Sequence, residues 1–173
     1  MPRSYSAALP VAFVTLRILV VLNLLMAAGI LILLLLSPNE RWIMSALSLT
    51  PSPATDRLIF GLRAVAVLGL AAIPLNHLVL RRLLAMVDSV RVGDPFIPAN
   101  ALRLQGIAWA LLGVQLLSVM IGAVGEAISS PSRPVDLDAG FSVNGWLAVL
   151  LTFILARVFA EGTLMREDLD GTV

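Results

Sequence analysis

Residues 81–103 read RRLLAMVDSVRVGDPFIPANALR and separate two apolar runs, each long enough to cross a lipid bilayer. Four of the twelve arginines of the chain, Arg81, Arg82, Arg91 and Arg103, lie in this stretch. Arginine is enriched in the cytoplasmic loops of membrane proteins. The stretch is therefore predicted to be a cytoplasmic loop between two membrane-spanning helices.

The composition of the whole chain is that of an integral membrane protein. Hydrophobic residues make up 59% of the sequence, charged residues make up 13%, and the mean hydropathy is +0.97. A water-soluble core of 173 residues cannot bury that much apolar surface. The net charge of +1 is too small for direct nucleic-acid binding, which depends on neutralising many phosphates.

The residue types that are missing from the sequence limit its chemistry. Cysteine and lysine are absent, which excludes disulfides, thiolate nucleophiles and lysine general bases. His77 is the only histidine, so a cluster of histidines cannot hold a metal. The carboxylates fall at the edges of the apolar runs. We therefore expect a protein that is not an enzyme and that needs no cofactor.

Four apolar runs predict four membrane-spanning helices in one membrane domain, residues 1–173. The first run is longer than the apolar part of a signal peptide, so an uncleaved span is expected. The predicted fold class is an all-α, antiparallel four-helix membrane bundle with cytoplasmic helical extensions. The predicted spans are residues 13–36, 58–80, 104–126 and 141–157, with a cytoplasmic loop at 81–103 and a cytoplasmic tail at 158–173.

The distribution of arginine predicts the orientation of the bundle. With both termini in the cytoplasm, the cytoplasmic segments hold eight arginines and the two outer loops hold three, while Arg63 lies inside a span. Positively charged segments stay on the cytoplasmic side of a membrane. Both termini are therefore predicted to be cytoplasmic.

The ends of the two helices beside the loop are also predicted. Apolar residues in the first half of the stretch recur at helical spacing, so the second helix should continue beyond the membrane. Gly93 is expected to end it, and Asp94, Pro95 and Pro98 cannot continue a helix. Asn100 is predicted to cap the next helix by accepting a hydrogen bond from a first-turn amide.

Several polar residues lie within the spans, and some of them admit two interpretations. Gln115, near mid-membrane, should face another helix, where an interhelical hydrogen bond contributes roughly 0.6 to 2 kcal/mol. His77 is either a solvated side chain at the interface or a proton-responsive or ligand-binding one. Arg63 and Glu126 are predicted to form an ion pair near the outer surface, and separate contacts with headgroups and water are the alternative.

Small residues recur at four-residue spacing on the third and fourth spans. Ser118 and Gly122 form one such pair, and Ala148, Thr152 and Ala156 form another set. Small residues allow helices in a membrane to approach closely. Both sets are interpreted as helix-packing faces, with chance spacing as the alternative for the first.

Two stretches of this sequence carry a resemblance to a known family. Gly93-Asp94-Pro95-Phe96 is followed by Asn100 and Arg103-Leu104, and residues 165–173 read MREDLDGTV. Together with the four spans, they resemble an uncharacterised family of small bacterial inner-membrane proteins, classed as a domain of unknown function. The resemblance implies an inner-membrane location and brings no activity. Because some members are encoded beside a small helix-turn-helix regulator, it also implies such a regulator as a partner.

The predicted function is that of a scaffold or signalling module, held in the lipid bilayer, whose cytoplasmic face binds a protein. A small transporter or channel, acting as a homo-oligomer, is the alternative. Such a transporter would normally carry an acid deep inside a span, and Glu126 lies only at the rim. The candidate interaction face comprises Arg81, Arg82, Arg91, Gly93, Asp94, Pro95, Phe96, Asn100, Arg103, Glu167, Asp168 and Asp170.

The tail is predicted to lie against the loop, because arginines of the loop and acids of the tail, Glu161 among them, share a compartment. Exposed ion pairs contribute only about 0 to 1 kcal/mol each, so apolar contacts would hold the tail. In the alternative, the arginines bind anionic lipid headgroups and the acids keep the tail solvated. The expected contacts join Phe159, Met165 and Leu169 to Leu83, Leu84, Val87 or Phe96.

Overall fold

The computed structural model describes residues 8–38, 43–45, 48, 50–92, 96–130, 135 and 137–170. These form four long helices, each apolar and long enough to cross a membrane, which confirms the predicted all-α membrane fold. Within lipid every backbone amide must bond inside its own segment, and a helix meets that requirement. The helices are α1 (Ala8–Leu36), α2 (Pro53–Val92), α3 (Pro98–Ile128) and α4 (Val143–Asp170).

The helices pack in the order in which they follow each other along the chain. α2 packs against α1 and α3, and α3 packs against α4. In the described part of the chain, no extended packing joins α1 to α4, so α1 is an outer helix. The buried apolar side chains lie mostly on α2 and α3, and they are Ile59, Ile73, Leu104, Ile107, Ala108, Ala110, Val149 and Ala156.

One end of the bundle collects most of the described arginines, and we call it the arginine end. There the guanidinium of Arg91, at the end of α2, lies 5.2 Å from the ring centroid of Phe13 near the start of α1. Phe96, just before α3, contacts the ring of Phe159 in the second half of α4. The start of α1, the end of α2, the start of α3 and the end of α4 therefore meet at this end.

The predicted extension of the second helix beyond the membrane is confirmed by the length of α2. Its 40 residues span roughly 60 Å, about twice the 30 Å thickness of the hydrocarbon layer. α4 likewise continues without a break from Val143 to Asp170, so the tail is helical as expected. Gly93, predicted to end the second helix, lies outside the described residues.

The predicted cap at Asn100 is wrong. α3 begins at Pro98, its N-cap is Ile97, and no side chain caps it. Proline is favoured at the first position of a helix, because an amide there would have no intrahelical acceptor and the ring presets φ. Pro98 therefore starts α3 and places Asn100 inside its first turn.

A buried asparagine attaches α1 to α2. Asn23 is 7% exposed, and its Nδ2 donates to the carbonyl oxygen of Ile73 over 3.3 Å. The rest of α1 is largely exposed and apolar, so this is a polar contact on a helix otherwise held by packing. Asn23 is not among the predicted packing residues, although a lone amide in an apolar run is expected to face a neighbouring helix.

Replacing Asn23 by leucine is expected to loosen α1 from α2. An interhelical hydrogen bond of about 0.6 kcal/mol corresponds to about a threefold change in the equilibrium. The measurement is disulfide formation between cysteines at positions 30 and 69, because a Cβ at Gly69 would lie 3.7 Å from Cδ1 of Ile30. The control is Leu25→Ala, which truncates a side chain that is 62% exposed. Equal cross-linking rates in both variants would contradict the role of Asn23.

Candidate functional site

The arginine end is held together by arginines that bind backbone carbonyls. Nη1 of Arg82, on α2, donates to the carbonyl oxygens of Leu102 and Arg103 on α3, over 3.2 and 3.4 Å. Gly106, one turn further along α3, leaves the space for this guanidinium, and a Cβ there would overlap it. Arg82 therefore acts as a clamp between two helices, a role that the positive-inside pattern does not predict.

Asn100 is the centre of a second set of contacts between the same helices. It is 1% exposed, and its Nδ2 donates to Oγ of Ser89 on α2 over 2.7 Å. Its Oδ1 accepts from Nη1 of Arg103 over 2.8 Å, and that guanidinium also donates to the carbonyl oxygen of Ala85 over 3.2 Å. Asn100, predicted as an interaction residue on the surface, is thus a buried structural group.

The tail contacts the loop through an aromatic pair, which confirms one of the predicted contacts. The ring centroids of Phe96 and Phe159 lie 5.2 Å apart at an interplanar angle of 30°. Gly162 brings the backbone of α4 close to the same ring, since a Cβ at 162 would lie 3.2 Å from Cδ1 of Phe96. Thr163 beside it is buried and donates to the carbonyl oxygen of Phe159.

Other parts of the predicted contact between tail and loop are not found among the described side chains, which do not include that of Leu169. Met165 is 62% exposed. Glu161 pairs with Arg157, one turn earlier on α4, and not with an arginine of the loop. Partners at a spacing of four on one helix already face each other, so pairing requires no ordering of a second segment. Glu161 therefore does not hold the tail to the loop.

The remaining members of the candidate interaction face are only partly described. Arg81 is exposed, and Arg91 lies 3.9 Å from Asp88 and over the ring of Phe13. The residues Gly93, Asp94 and Pro95 lie outside the described part of the chain. The last turns of α4 contain Glu167, Asp168 and Asp170, whose side chains are outside the described part as well.

The predicted ion pair between Arg63 and Glu126 is not among the ion pairs of the described residues. Nη2 of Arg63 donates to the carbonyl oxygen of Ser37, directly after the end of α1, and Glu126 is exposed. Carbonyls at the end of a helix lack an intrahelical donor, so they accept from a nearby arginine. Arg63 thus ties α2 to α1 at the end opposite to the arginine end.

Gln115 faces another helix, as predicted. It is 8% exposed and lies against Gly145 of α4, where a Cβ would overlap its amide oxygen. Its Nε2 is buried without a hydrogen-bond partner, as is Nε1 of the neighbouring Trp146. The interhelical hydrogen bond expected for Gln115 is therefore absent from the described residues.

The small residues of α3 pack against a loop and not against a helix. Oγ of Ser118 accepts from the amide of Gly140 over 3.2 Å and bonds the carbonyl oxygen of the same residue over 3.3 Å. Gly122 lies against the backbone of Ala139 and Gly140. On α4 the buried face differs from the predicted set of small residues. Ala156 of that set is buried and Ala148 is exposed, while Val149 and Thr163 are the other buried side chains.

His77 lies in the wall of a cavity between α1 and α2, towards the arginine end. Its Nδ1 is buried and has no hydrogen-bond partner among the described residues. Within that same part of the chain, no three or more His, Asp or Glu side chains lie close enough together to hold a metal ion.

Comparison with known proteins assigns the chain to a family without assigning an activity. Residues 38–173 match the model of a family described as a protein of unknown function, DUF2975. The match covers α2, α3 and α4 in full and begins directly after α1. No curated protein and no solved structure matches the chain.

Proposed function

The chain belongs to the DUF2975 family of proteins of unknown function, and we propose that it is a non-catalytic module of a bacterial inner membrane. In this proposal both termini are cytoplasmic, and the arginine end binds a soluble protein. The resemblance of the loop and tail motifs points to a helix-turn-helix regulator as that protein. The observation that carries the proposal is the contact of Phe96 with Phe159, which joins the loop to the tail.

This contact is small enough to be exchanged for another one. Phe96 remains 44% exposed, and Leu164 and Met165, on the following turn of α4, are 56% and 62% exposed. An aromatic pair contributes about 0.5 to 1.5 kcal/mol beyond the area that it buries. A partner that binds the tail more tightly than the loop does would shift the tail to its own surface. The release of the tail from the loop would then be the signal that the module gives.

The charge of the tail suits a basic partner. The last turns of α4 carry acids at positions 167, 168 and 170, and the loop carries the arginines. Regulators that bind DNA carry a basic surface. Such a surface is complementary to the tail and repelled by the loop, so binding would favour release of the tail from the loop.

The interior of the bundle supports a module over a transporter. The α3 side chains of Ile107, Ala108 and Ala110 are 3%, 0% and 4% exposed, and Gln115 is the buried polar side chain further along the same helix. A transporter or channel needs a polar path through the membrane, normally with an ionisable group inside it. Among the described residues no ionisable side chain is buried in the bundle, which favours a module over a transporter.

The proposal predicts opposite effects of two changes to the tail. Deleting residues 165–173 should abolish capture of a co-expressed helix-turn-helix regulator from detergent extracts. Replacing Phe159 by alanine should free the tail and increase the affinity about two- to tenfold, because the aromatic pair no longer competes. The control is Phe60→Ala, which truncates a side chain that is 75% exposed near the other end.

The two variants also define the result that would contradict the proposal. Protease sensitivity of residues 88–98 reports whether the tail covers the loop, and it should rise in Phe159→Ala and stay unchanged in Phe60→Ala. If the deletion leaves both capture of the regulator and this sensitivity unchanged, the tail is not the binding element.

The orientation of the bundle has its own test, which the absence of cysteine makes simple. A single cysteine in place of Val90, which is 38% exposed, should react with a membrane-impermeant maleimide only after the membrane is opened. A single cysteine in place of the exposed Ser130 should react from the outside in intact cells. The reverse pattern would place the arginine end outside the cell. Position 89 is less suitable, because Ser89 binds Asn100.

A further inference from the structure

A cavity of about 570 Å³ lies between α1 and α2 on the side of the arginine end. Its volume falls within the range of about 300 to 1,000 Å³ that is typical of ligand pockets. α1 contributes Leu24, and α2 contributes all the other residues of the wall. The wall consists of Leu24, Leu70, Ile73, Pro74, His77, Leu78, Arg81 and Arg82.

The wall of the cavity changes from apolar to cationic along the axis of α2. Leu70, Pro74, His77 and Arg81 follow each other at spacings of three and four residues, so they share one face of the helix. From Leu70 to Arg81 this face extends roughly 16 Å, at 1.5 Å per residue. Its deeper part is apolar and its outer part is cationic, at the depth where the helix is expected to meet the headgroups of the lipid.

Several polar groups at this wall have no partner among the described residues. Nδ1 of His77 is buried without a hydrogen-bond partner among the described residues. Arg81 is exposed, and no described carboxylate pairs with it. Pro74 has no amide hydrogen, so it cannot donate the usual helical bond to the carbonyl of Leu70. Arg82, in contrast, is engaged in its contact with α3, and the carbonyl of Ile73 accepts from Asn23.

We infer that this cavity is a binding site for an anionic phospholipid. One acyl chain lies along Leu24, Leu70 and Leu78, and the phosphate lies beside His77 and Arg81. The apolar share of the wall and the 53% exposure of Leu24 on the outer helix give a chain access from the bilayer. The wall has cationic side chains and no acidic one, which favours an anionic headgroup over a zwitterionic one.

This site is distinct from the contact of the tail with the loop, and it does not depend on the proposed function. The cavity lies on the α1 side of α2, whereas Phe96 and Phe159 lie on α3 and α4. Arg82 connects the two regions, because it lines the cavity and also clamps the start of α3. A bound lipid would therefore sit beside the clamp that positions the loop.

The test is native mass spectrometry of the full chain in detergent, titrated with phosphatidylglycerol or phosphatidylcholine of equal acyl chains. We expect preferential retention of phosphatidylglycerol, and Arg81→Gln should weaken its binding about fivefold, the loss expected for one arginine at the membrane surface. The matched control is Arg157→Gln, which removes the same charge at the same end. That side chain is 79% exposed and pairs with Glu161, away from the cavity.

Three outcomes would overturn the inference. Equal losses in Arg81→Gln and Arg157→Gln would show general attraction to the arginine end. Retention that is unchanged by Arg81→Gln would show that the cavity does not hold the headgroup. Displacement of phosphatidylglycerol by glycerol 3-phosphate at similar concentrations would show a site for free phosphate.

A variant of the apolar part tests the position of the acyl chain. Leu24→Trp fills the cavity from the side of α1 without changing any charge. The larger side chain replaces one that is 53% exposed. It should lower retention of phosphatidylglycerol severalfold while the variant elutes as a single species of unchanged size. Full retention by a correctly folded Leu24→Trp variant would place the lipid elsewhere.

Discussion

Replacing Gly122 by alanine is expected to destabilise the bundle by about 1 to 3 kcal/mol, the usual cost of overpacking a close contact. A Cβ at position 122 would lie 2.7 Å from Cα of Gly140 and 3.0 Å from the carbonyl oxygen of Ala139. Both are backbone atoms, which cannot rotate away as the end of a flexible side chain can. The loop before α4 would therefore have to move off α3.

That movement would also break the polar contacts that attach the loop. The hydroxyl of Ser118 bonds both the amide and the carbonyl of Gly140, over 3.2 and 3.3 Å. Gly140 has a φ of +131°, a conformation that residues with a side chain rarely adopt, so the loop cannot readily be rebuilt around another residue. Gly122, Ser118 and Gly140 thus form one unit that fixes the entry into α4.

The measurement is thermal unfolding of the purified protein in detergent. Gly29→Ala is a matched control, because it makes the same change in the middle of α1, where a Cβ would meet no atom within 4 Å. Alanine is favoured over glycine in a helix by about 1 kcal/mol, so the control should keep or raise the melting temperature. Equal shifts of the two variants would show that the contact with Gly140 contributes nothing.

The sequence predicts the helices of this chain well because the lipid imposes a one-dimensional constraint. An apolar run of about 20 residues must be a helix to satisfy its backbone in the bilayer, whatever its neighbours are. Contacts between segments are not constrained in this way. The spacing of Ser118 and Gly122 predicts a close approach, but it cannot distinguish a helix from the loop at Gly140 as the partner.

The arginines of the candidate site show the same difference, because their location is predicted by the sequence and their partners are not. The count of arginines indicates which end of the bundle they share, because it depends only on the order of spans and loops. Their partners depend on which carbonyls are left free nearby. Arg63 bonds the carbonyl of Ser37, and Arg82 bonds those of Leu102 and Arg103. A prediction that pairs arginines with acids, such as the predicted pair of Arg63 with Glu126, does not take these carbonyl oxygens into account.

Replacing Asn100 by alanine is expected to destabilise the arginine end by about 2 to 3 kcal/mol, the loss expected for one hydrogen bond between neutral groups and one with a charged group. The amide joins Ser89 on α2 to Arg103 on α3, and it is 1% exposed, so water does not replace it. Alanine would remove both of these hydrogen bonds at once. Polar networks in a low-dielectric interior lose more than the sum of their single bonds.

The loop between α2 and α3 depends on this network for its position. Ser89 lies one turn before the end of α2, and Asn100 lies in the first turn of α3, so their contact closes the segment that contains Phe96. Loss of the contact would let Phe96 move away from Phe159. We therefore expect Asn100→Ala to increase the protease sensitivity of residues 88–98 and, like Phe159→Ala, to strengthen capture of the partner, because the tail is released from the loop.

Two further variants separate the network from a general effect of removing an amide. Asn144→Ala makes the same change at an exposed position at the start of α4. It should leave protease sensitivity unchanged and the free energy of unfolding within about 0.5 kcal/mol of the original. Ser89→Ala removes one arm of the network, so its effect should not add to that of Asn100→Ala, because the double variant breaks the same bond only once. Additive losses in the double variant would mean that Ser89 and Asn100 act independently, and the loop would then be held by the carbonyl contacts of Arg82 and Arg103 alone.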